Sequence, residues 1–182
     1  GGDNSAIVLK SANLQEIVFN QKLQNTMDLV GVVMDVYKEK DVSMIVVDRT
    51  GVGRGVYDRL KETDYPVRGI DFGEKPTDDQ MFKDKKAELY WKEREWLLKG
   101  GRLLQNYGWN EFEIVKYKHQ DKDRTIRIQP KEELFREGIL SPNCVDAAIL
   151  TMAITDVTIR SNRNLQRGNV FQDKMLEVWR GN

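Results

Sequence analysis

Apolar residues fall along the chain in short runs whose spacing alternates between strand-like and helix-like. Residues 6–10 (AIVLK) and 16–19 (EIVF), separated by SANLQ, predict an antiparallel hairpin. Asn25 or Thr26 can cap a helix running to about Lys40, with Leu29, Val30, Val33 and Tyr37 near helical spacing. Residues 42–47 (VSMIVV) form a near-continuous apolar run, the pattern of a strand buried on both faces in a parallel sheet. The run ends at Asp48. A helix over about 52–62 and a strand over 67–70 (VRGI) follow. Helix, strand, helix, strand in this order predicts an α/β fold.

After the polar loop DFGEKPTDD, a long helix is expected over about 80–99. Phe82, Leu89 and Trp96 repeat at seven along it, with Tyr90, Glu93 and Leu97 beside them. Gly100 and Gly101 end it. Residues 112–118 (FEIVKYK) and 124–129 (RTIRIQ) flank HQDKD and predict a second hairpin. A last helix is expected to be capped by Ser141, with Pro142 at its first position, and to continue CVDAAILTMAI. Residues 161–182 are polar with scattered apolar residues, and read as a tail or partner-binding segment.

Composition narrows the chemistry. Of the 182 residues, Lys+Arg and Asp+Glu each number 29, so the formal net charge is zero. That excludes a uniformly basic DNA-coating chain. With one cysteine (Cys144) there is no internal disulfide or Cys-rich zinc site. The single histidine, His119, sits in the polar run KHQDKD and gives little basis for a His-dependent triad. Chemistry here is expected to rest on carboxylates, and carboxylates without histidine favour Mg²⁺ or Mn²⁺. No run approaches the ~18 apolar residues of a membrane span.

Three features can carry such chemistry. Asp48 lies at the carboxyl end of an apolar strand, where open α/β sheets place their ligand crevice. Gly51, Gly53 and Gly55 after it permit a tight turn and close backbone approach. The alternative is a plain loop-capping aspartate. The spacing fails G-x-G-x-x-G at Val56 and has no Walker lysine, which argues against a nucleotide-binding domain. Asp146 lies in the first turn of a helix that is apolar nearly all round, so its charge needs a partner: the helix N-terminus or a metal ion. Asn143, three residues earlier, shares its face and can bind a metal or water, or cap. Finally, Lys75, Lys83, Lys85 and Lys86, with Arg68 upstream, either neutralise phosphates or form a solvated face. Tyr90, Trp91 and Trp96 read as core.

Three segments occur together in an order that resembles the nuclease domain of phage terminase large subunits, of the ribonuclease H-like superfamily. They are VVDRTGVGRGVYDRL, FKDKKAELYWKEREWLLKGG and RIQPKEELFREGILSPNCVDAAILTMA. The resemblance covers about residues 1–157. It implies a mixed central sheet flanked by helices, with an extra hairpin near the last helix, over residues 1–160, and a tail over 161–182. It further implies an endonuclease that cuts concatemeric double-stranded viral DNA during genome packaging in the host cytoplasm. Two Mg²⁺ or Mn²⁺ ions would be held by carboxylates. Asp48 matches the family's second acidic position, and Asp146 the carboxylate of the last helix. Asn143 matches a position that is often acidic or histidine. Lys83, Lys85, Lys86 and Arg54 are candidate DNA contacts. Implied partners are an upstream ATPase domain, a small terminase subunit and a portal.

In the family the first acid sits on a first strand, just before a Gly-rich turn like GGDNSAIVLK. That strand and its acid are not found in this sequence, and Asp3 reads as the turn's non-catalytic aspartate, so the sequence is expected either to begin inside a larger polypeptide or to omit unresolved residues. Two other readings remain: a non-catalytic docking or DNA-binding module of the packaging motor, and another ribonuclease H-like nuclease such as a junction resolvase.

Overall fold

The structure, a computed structural model, describes residues 4–119 and 124–154. Asp3 and the 161–182 segment fall outside the described residues. The opening hairpin forms as expected: β1 (Ser5–Lys10) pairs antiparallel with β2 (Leu14–Gln21), with an irregularity between Ile7 and Val8. Helix α1 (Thr26–Glu39) is capped by Asn25, whose side chain accepts the Asp28 N–H at 2.9 Å. Strand β3 (Ile45–Asp48) and β4 (Val67–Ile70) pair in parallel, joined by α2 (Gly53–Glu62).

Strand β3 is shorter than the apolar run predicted, and all four of its residues are half-buried rather than buried. The reason lies in the sheet. Among the described residues β3 has one ladder partner, β4, and its other edge faces a cavity.

The long helix also starts later than its periodicity implied. Helix α3 spans Lys85–Leu98, and the residues before it are held in turns by aspartates. The Asp78 carboxylate accepts the N–H groups of Gln80 and Met81, and Asp84 caps the helix by accepting from Ala87. Phe82 therefore stands outside the helix, bridged to Ile126. Gly100, at φ +97°, ends the helix as expected. A two-residue strand β5 (Arg102–Leu103) then joins β2 in parallel.

The second hairpin is shorter than predicted. Residues Glu111–Ile114 form a helical turn, α4, that buries Phe112. The strands are β6 (Tyr117–His119) and β7 (Ile126–Ile128), antiparallel. The hairpin lies against α3, where Trp91 meets Tyr117 edge-on. Helix α5 (Lys131–Arg136) leads on to α6 (Asn143–Leu150). The expected Ser141 cap does not form: Pro142 holds the cap position, and the Ser141 hydroxyl has no hydrogen-bond partner.

Three apolar clusters result among the described residues, the third and small one being Phe82, Ala87 and Ile126 under the second hairpin. The largest unites β2, α3, α4, β5 and α6 around Leu89, Tyr90, Trp109, Phe112 and Ile149, with Ala6 and Val8 of β1 against it. The second packs Val30 of α1 and Val56 and Leu60 of α2 against Ile45, Val47 and Val67. Val46 and Ile70 point to the opposite face and join the largest cluster. The β3–β4 pair is thus one layer between two layers of helix. None of the helices is long and apolar enough to cross a membrane, among the described residues.

Candidate functional site

Asp48 and Asp146 line one cavity of about 610 Å³, together with Thr50, Lys131 and Asn143. They reach it from different elements, 98 residues apart in sequence. Asp48 ends β3. Its carboxylate Oδ1 accepts the Thr50 N–H at 3.0 Å and the Thr50 hydroxyl at 2.6 Å, so it closes its own turn. The glycine-rich loop then doubles back tightly. A Cβ built on Gly53 would stand 1.8 Å from the Asp48 carbonyl oxygen, so that position requires glycine. Gly51, at φ +53°, supplies the left-handed residue of the turn.

Asp146 is held very differently. The residue is 8% exposed, in the first turn of α6. Lys86 Nζ lies 2.9 Å from Oδ1 and 3.1 Å from Oδ2. Lys131 Nζ lies 3.3 Å from Oδ2. The Tyr90 hydroxyl donates to Oδ1 at 3.0 Å. Burial is the main cause that pushes the Tyr90 hydroxyl well above its usual range, with the Asp146 charge and hydrogen bond adding to it. Tyr90 therefore stays a proton donor to Asp146. Lys86 also lies over the rings of Phe72 and Tyr90, 5.1 and 5.8 Å from their centroids. Of the partners anticipated for Asp146, the helix N-terminus is claimed by another residue. Glu111 Oε2 accepts the N–H groups of Cys144 and Val145 at 2.7 and 3.1 Å. Burial raises the Glu111 carboxyl, and these hydrogen bonds oppose the rise.

The lysine-rich segment divides. Lys83 is exposed. Lys85 pairs with Glu88 at 2.9 Å and bonds the Thr77 hydroxyl. Lys86 faces Asp146. Lys75 pairs with Asp79 on the surface. Arg54 is exposed and 3.9 Å from Asp58. Arg68 donates to the Ala153 carbonyl. Apart from Lys83, these cations thus stand beside separate partners. As read from sequence, Tyr90 is core; Trp91 and Trp96 are partly buried.

Three contributors escaped the sequence reading: Tyr90 as a polar group, Lys131 and Glu111. Only the first had a local signal, since Lys86 and Tyr90 stand four apart on one face of α3. Lys131 and Glu111 are brought in by tertiary packing.

The donors at Asp48, Asp146 and Asn143 are hard oxygens, the kind that Mg²⁺, Mn²⁺ or Ca²⁺ prefers. In number they fall short. Among the described residues no three His, Cys, Asp or Glu side chains stand together as a metal-binding group. Asp146, besides, already has two cations beside it.

Neither the family models nor the curated proteins gave a match to this sequence. Solved structures did. A mutant nuclease domain of the large terminase subunit gp2 of bacterial virus Sf6, with manganese and β-thujaplicinol, superposes at a TM-score of 0.70, with 16% identity over 86% of this chain and 84% of that one. The same nuclease domain without the mutation gives 0.69, again at 16% identity and the same coverage. A mutant with calcium gives 0.68 over 85% and 84%, also at 16% identity. This chain has the fold of a phage large-terminase nuclease domain. The mixed α/β, ribonuclease H-like architecture expected from sequence is therefore the observed one.

Proposed function

We infer that the chain is the nuclease part of a phage terminase large subunit, a metal-dependent endonuclease acting on double-stranded viral DNA concatemers. The supporting observation is the meeting of Asp48 and Asp146 in one cavity, within a fold shared with nuclease domains solved with manganese or calcium. Asp48 and Asp146 would hold the divalent cations, Mg²⁺ or Mn²⁺, with Asn143 beside them. When bound, two such ions would activate water and stabilise the leaving oxygen. The chain's own contribution is to fix Asp146 by Lys86, Lys131 and Tyr90, and to hold Asp48 in its turn. Lys83 and Arg54 are exposed cations that would approach phosphates on a duplex, Arg54 from a surface pairing with Asp58. Lys85 and Lys86 would have to leave carboxylate partners to do so.

In this reading residues 1–160 form the nuclease domain and 161–182 a separate tail. The protein would work in the host cytoplasm beside an ATPase domain, a small terminase subunit and a portal. A second reading, a DNA-binding module without catalysis, is favoured by the short donor set. Supercoiled plasmid incubated with the chain in Mn²⁺, in Mg²⁺ and in EDTA distinguishes them. Nicking that needs metal and vanishes in Asp48→Ala and Asp146→Ala supports the nuclease. DNA binding without cleavage in any metal supports the module. Cleavage that survives both substitutions contradicts the assignment of the site.

A further inference from the structure

Glu93 and Gln15 are both 0% exposed, a buried polar pair apart from the site. They meet where Gln15 on β2 and Glu93 on α3 reach the end of α6 and the turn that follows it. Gln15 Nε2 donates to Glu93 Oε2 at 2.9 Å, with the Thr151 hydroxyl at 3.0 Å and the Ala148 carbonyl at 3.4 Å also beside it. Those neighbours fix which way the amide faces. The Ala148 carbonyl only accepts, and the Thr151 hydroxyl gives it its one hydrogen at 2.7 Å. Two oxygens are left over: Glu93 Oε1 and Gln15 Oε1 are buried without a hydrogen-bond partner. With Glu93 ionised neither can serve the other, since both only accept. With Glu93 protonated, its O–H is a donor for Gln15 Oε1, and an acid facing a primary amide closes a ring of two hydrogen bonds. One proton then satisfies both oxygens, which are otherwise costly to bury. Burial acts in the same direction, raising the Glu93 carboxyl to about 8 against the Gln15 bond and the Lys10 charge.

We propose that Glu93 and Gln15 form a closed acid–amide pair, with the hydrogen on Glu93 Oε1 donated to Gln15 Oε1, and that this pair is a proton-operated latch on the end of α6. Loss of the proton to a base in solvent opens the pair and brings the Lys10 ammonium to Glu93. Lys10 is placed for that exchange. It extends from β1, lines the cavity and lies over the Trp96 ring, 5.4 Å from its centroid. Burial lowers its ammonium and the Glu93 charge raises it, so each group favours the charged form of the other. Tyr90, one turn back on α3, also feels the Glu93 charge, but its hydroxyl stays protonated and bonded to Asp146. Asp146 and Glu111 act on Tyr90 from α6 and α4. From β2, α6 and its following turn come neutral groups: the Gln15 amide, the Ala148 carbonyl and the Thr151 hydroxyl. Lys86, Tyr90 and Glu93 stand four and three apart on one face of α3. The first two hold Asp146 at the start of α6, and Glu93, through Gln15, holds its other end. The latch therefore sets how firmly the helix that carries Asp146 is seated. The proposal rests on buried donors and acceptors and stands apart from the nuclease reading.

The test is a pH titration of the full isotopically labelled chain by NMR, from about pH 6 to about pH 10. It reads the Glu93 carboxyl carbon, the Gln15 side-chain amide and the Lys10 Cε. The expected result is a Glu93 carboxyl that is protonated at neutral pH and titrates with a midpoint of about 8. The Gln15 amide and Lys10 Cε signals should move in the same titration. In Glu93→Gln the introduced amide closes the ring without a titrating proton, so both signals should stay still. Lys10→Met, which removes the partner of the ionised form, should raise the Glu93 midpoint by at least about one pH unit, a tenfold change in proton affinity. A Glu93 carboxyl already ionised at neutral pH would overturn the proposal. So would a Gln15 amide that ignores the Glu93 titration, which would put water at Gln15 Oε1 in place of the acid, or one that still titrates in Glu93→Gln. A midpoint unmoved by Lys10→Met would contradict the exchange of partners. If Glu93 loses its proton only as the whole chain unfolds, there is no latch.

Discussion

Asp146 and Asp48 border the same cavity, yet the regions that carry them are built on opposite terms. On the α3–α6 side, Asp146 is nearly closed off from solvent and gripped by two lysines and a tyrosine. Around it Trp109, Phe112, Leu89 and Ile149 are fully buried. On the β3–β4 side the strand is half-buried, and Asp48 is held only through the turn it closes with Thr50. The difference teaches that one carboxylate is a fixed charge whose geometry is set by the core. The other is free to take up a new ligand at little structural cost.

Removing each carboxylate should expose that difference most strongly. Asp146→Ala leaves Lys86, whose side chain is 18% exposed, without its counter-charge. Allowing for that partial exposure, the loss should be about 2–3 kcal/mol in urea unfolding. Asp48→Ala should cost less than about 1 kcal/mol. Equal losses would abolish the contrast.

A pH series sharpens it next. Glu93 is fully buried on α3 and accepts from Gln15 Nε2 at 2.9 Å. Burial raises its carboxyl to about 8, with the Gln15 bond and the Lys10 charge pulling the other way. Between the ordinary carboxyl range and about 8 the folded state holds a proton that the unfolded chain has lost. Stability from this group is therefore full below the ordinary range and falls as pH rises toward 8. Glu93→Gln should flatten that slope and gain on the order of 2 kcal/mol at pH 9 relative to the parent. No change in slope would show that the α3 core tolerates the charge.

Smaller effects follow at the helix start and at the tyrosine. Glu111→Ala removes the acceptor of two α6 N–H groups and should cost about 1–2 kcal/mol. Ser141→Ala should cost almost nothing, because that hydroxyl makes no bond. Tyr90→Phe should lower the unfolding free energy by about 1 kcal/mol. Loss of that bond would also allow Asp146 to shift. Thr50→Val, its counterpart on the β3–β4 side, should fall below that.

Much of this was legible in the sequence where a local rule decides the outcome. Asn25 and Gly100 marked helix ends, and the opening hairpin and the β3–α2–β4 order followed from periodicity. Asp48 and Asp146, which line one cavity, drew attention because a carboxylate at a strand end or on an apolar helix is unusual in itself. What failed were places where distant groups override the local pattern. Phe82 fits the seven-residue repeat of α3, but Asp78 and Asp84 take the N–H groups that a longer helix would need. Ser141-Pro142 has the chemistry of a cap, but Glu111 reaches the α6 N–H groups first. Phe112 and Ile114 alternate like strand residues, yet the turn at Glu111–Ile114 that delivers Glu111 is helical. The half-buried state of β3 goes with its having β4 as its one ladder partner among the described residues, which no local pattern reveals.

The most direct test of the site is Mn²⁺ titration of the isotopically labelled chain, followed by amide NMR. If Asp48 and Asp146 serve one cation site, signals of Thr50 and Gly51 and those of residues 143–147 should broaden together at the same metal concentration. Asp48→Asn should abolish both sets. Broadening at one carboxylate alone, or broadening unaffected by Asp48→Asn, would contradict a shared site.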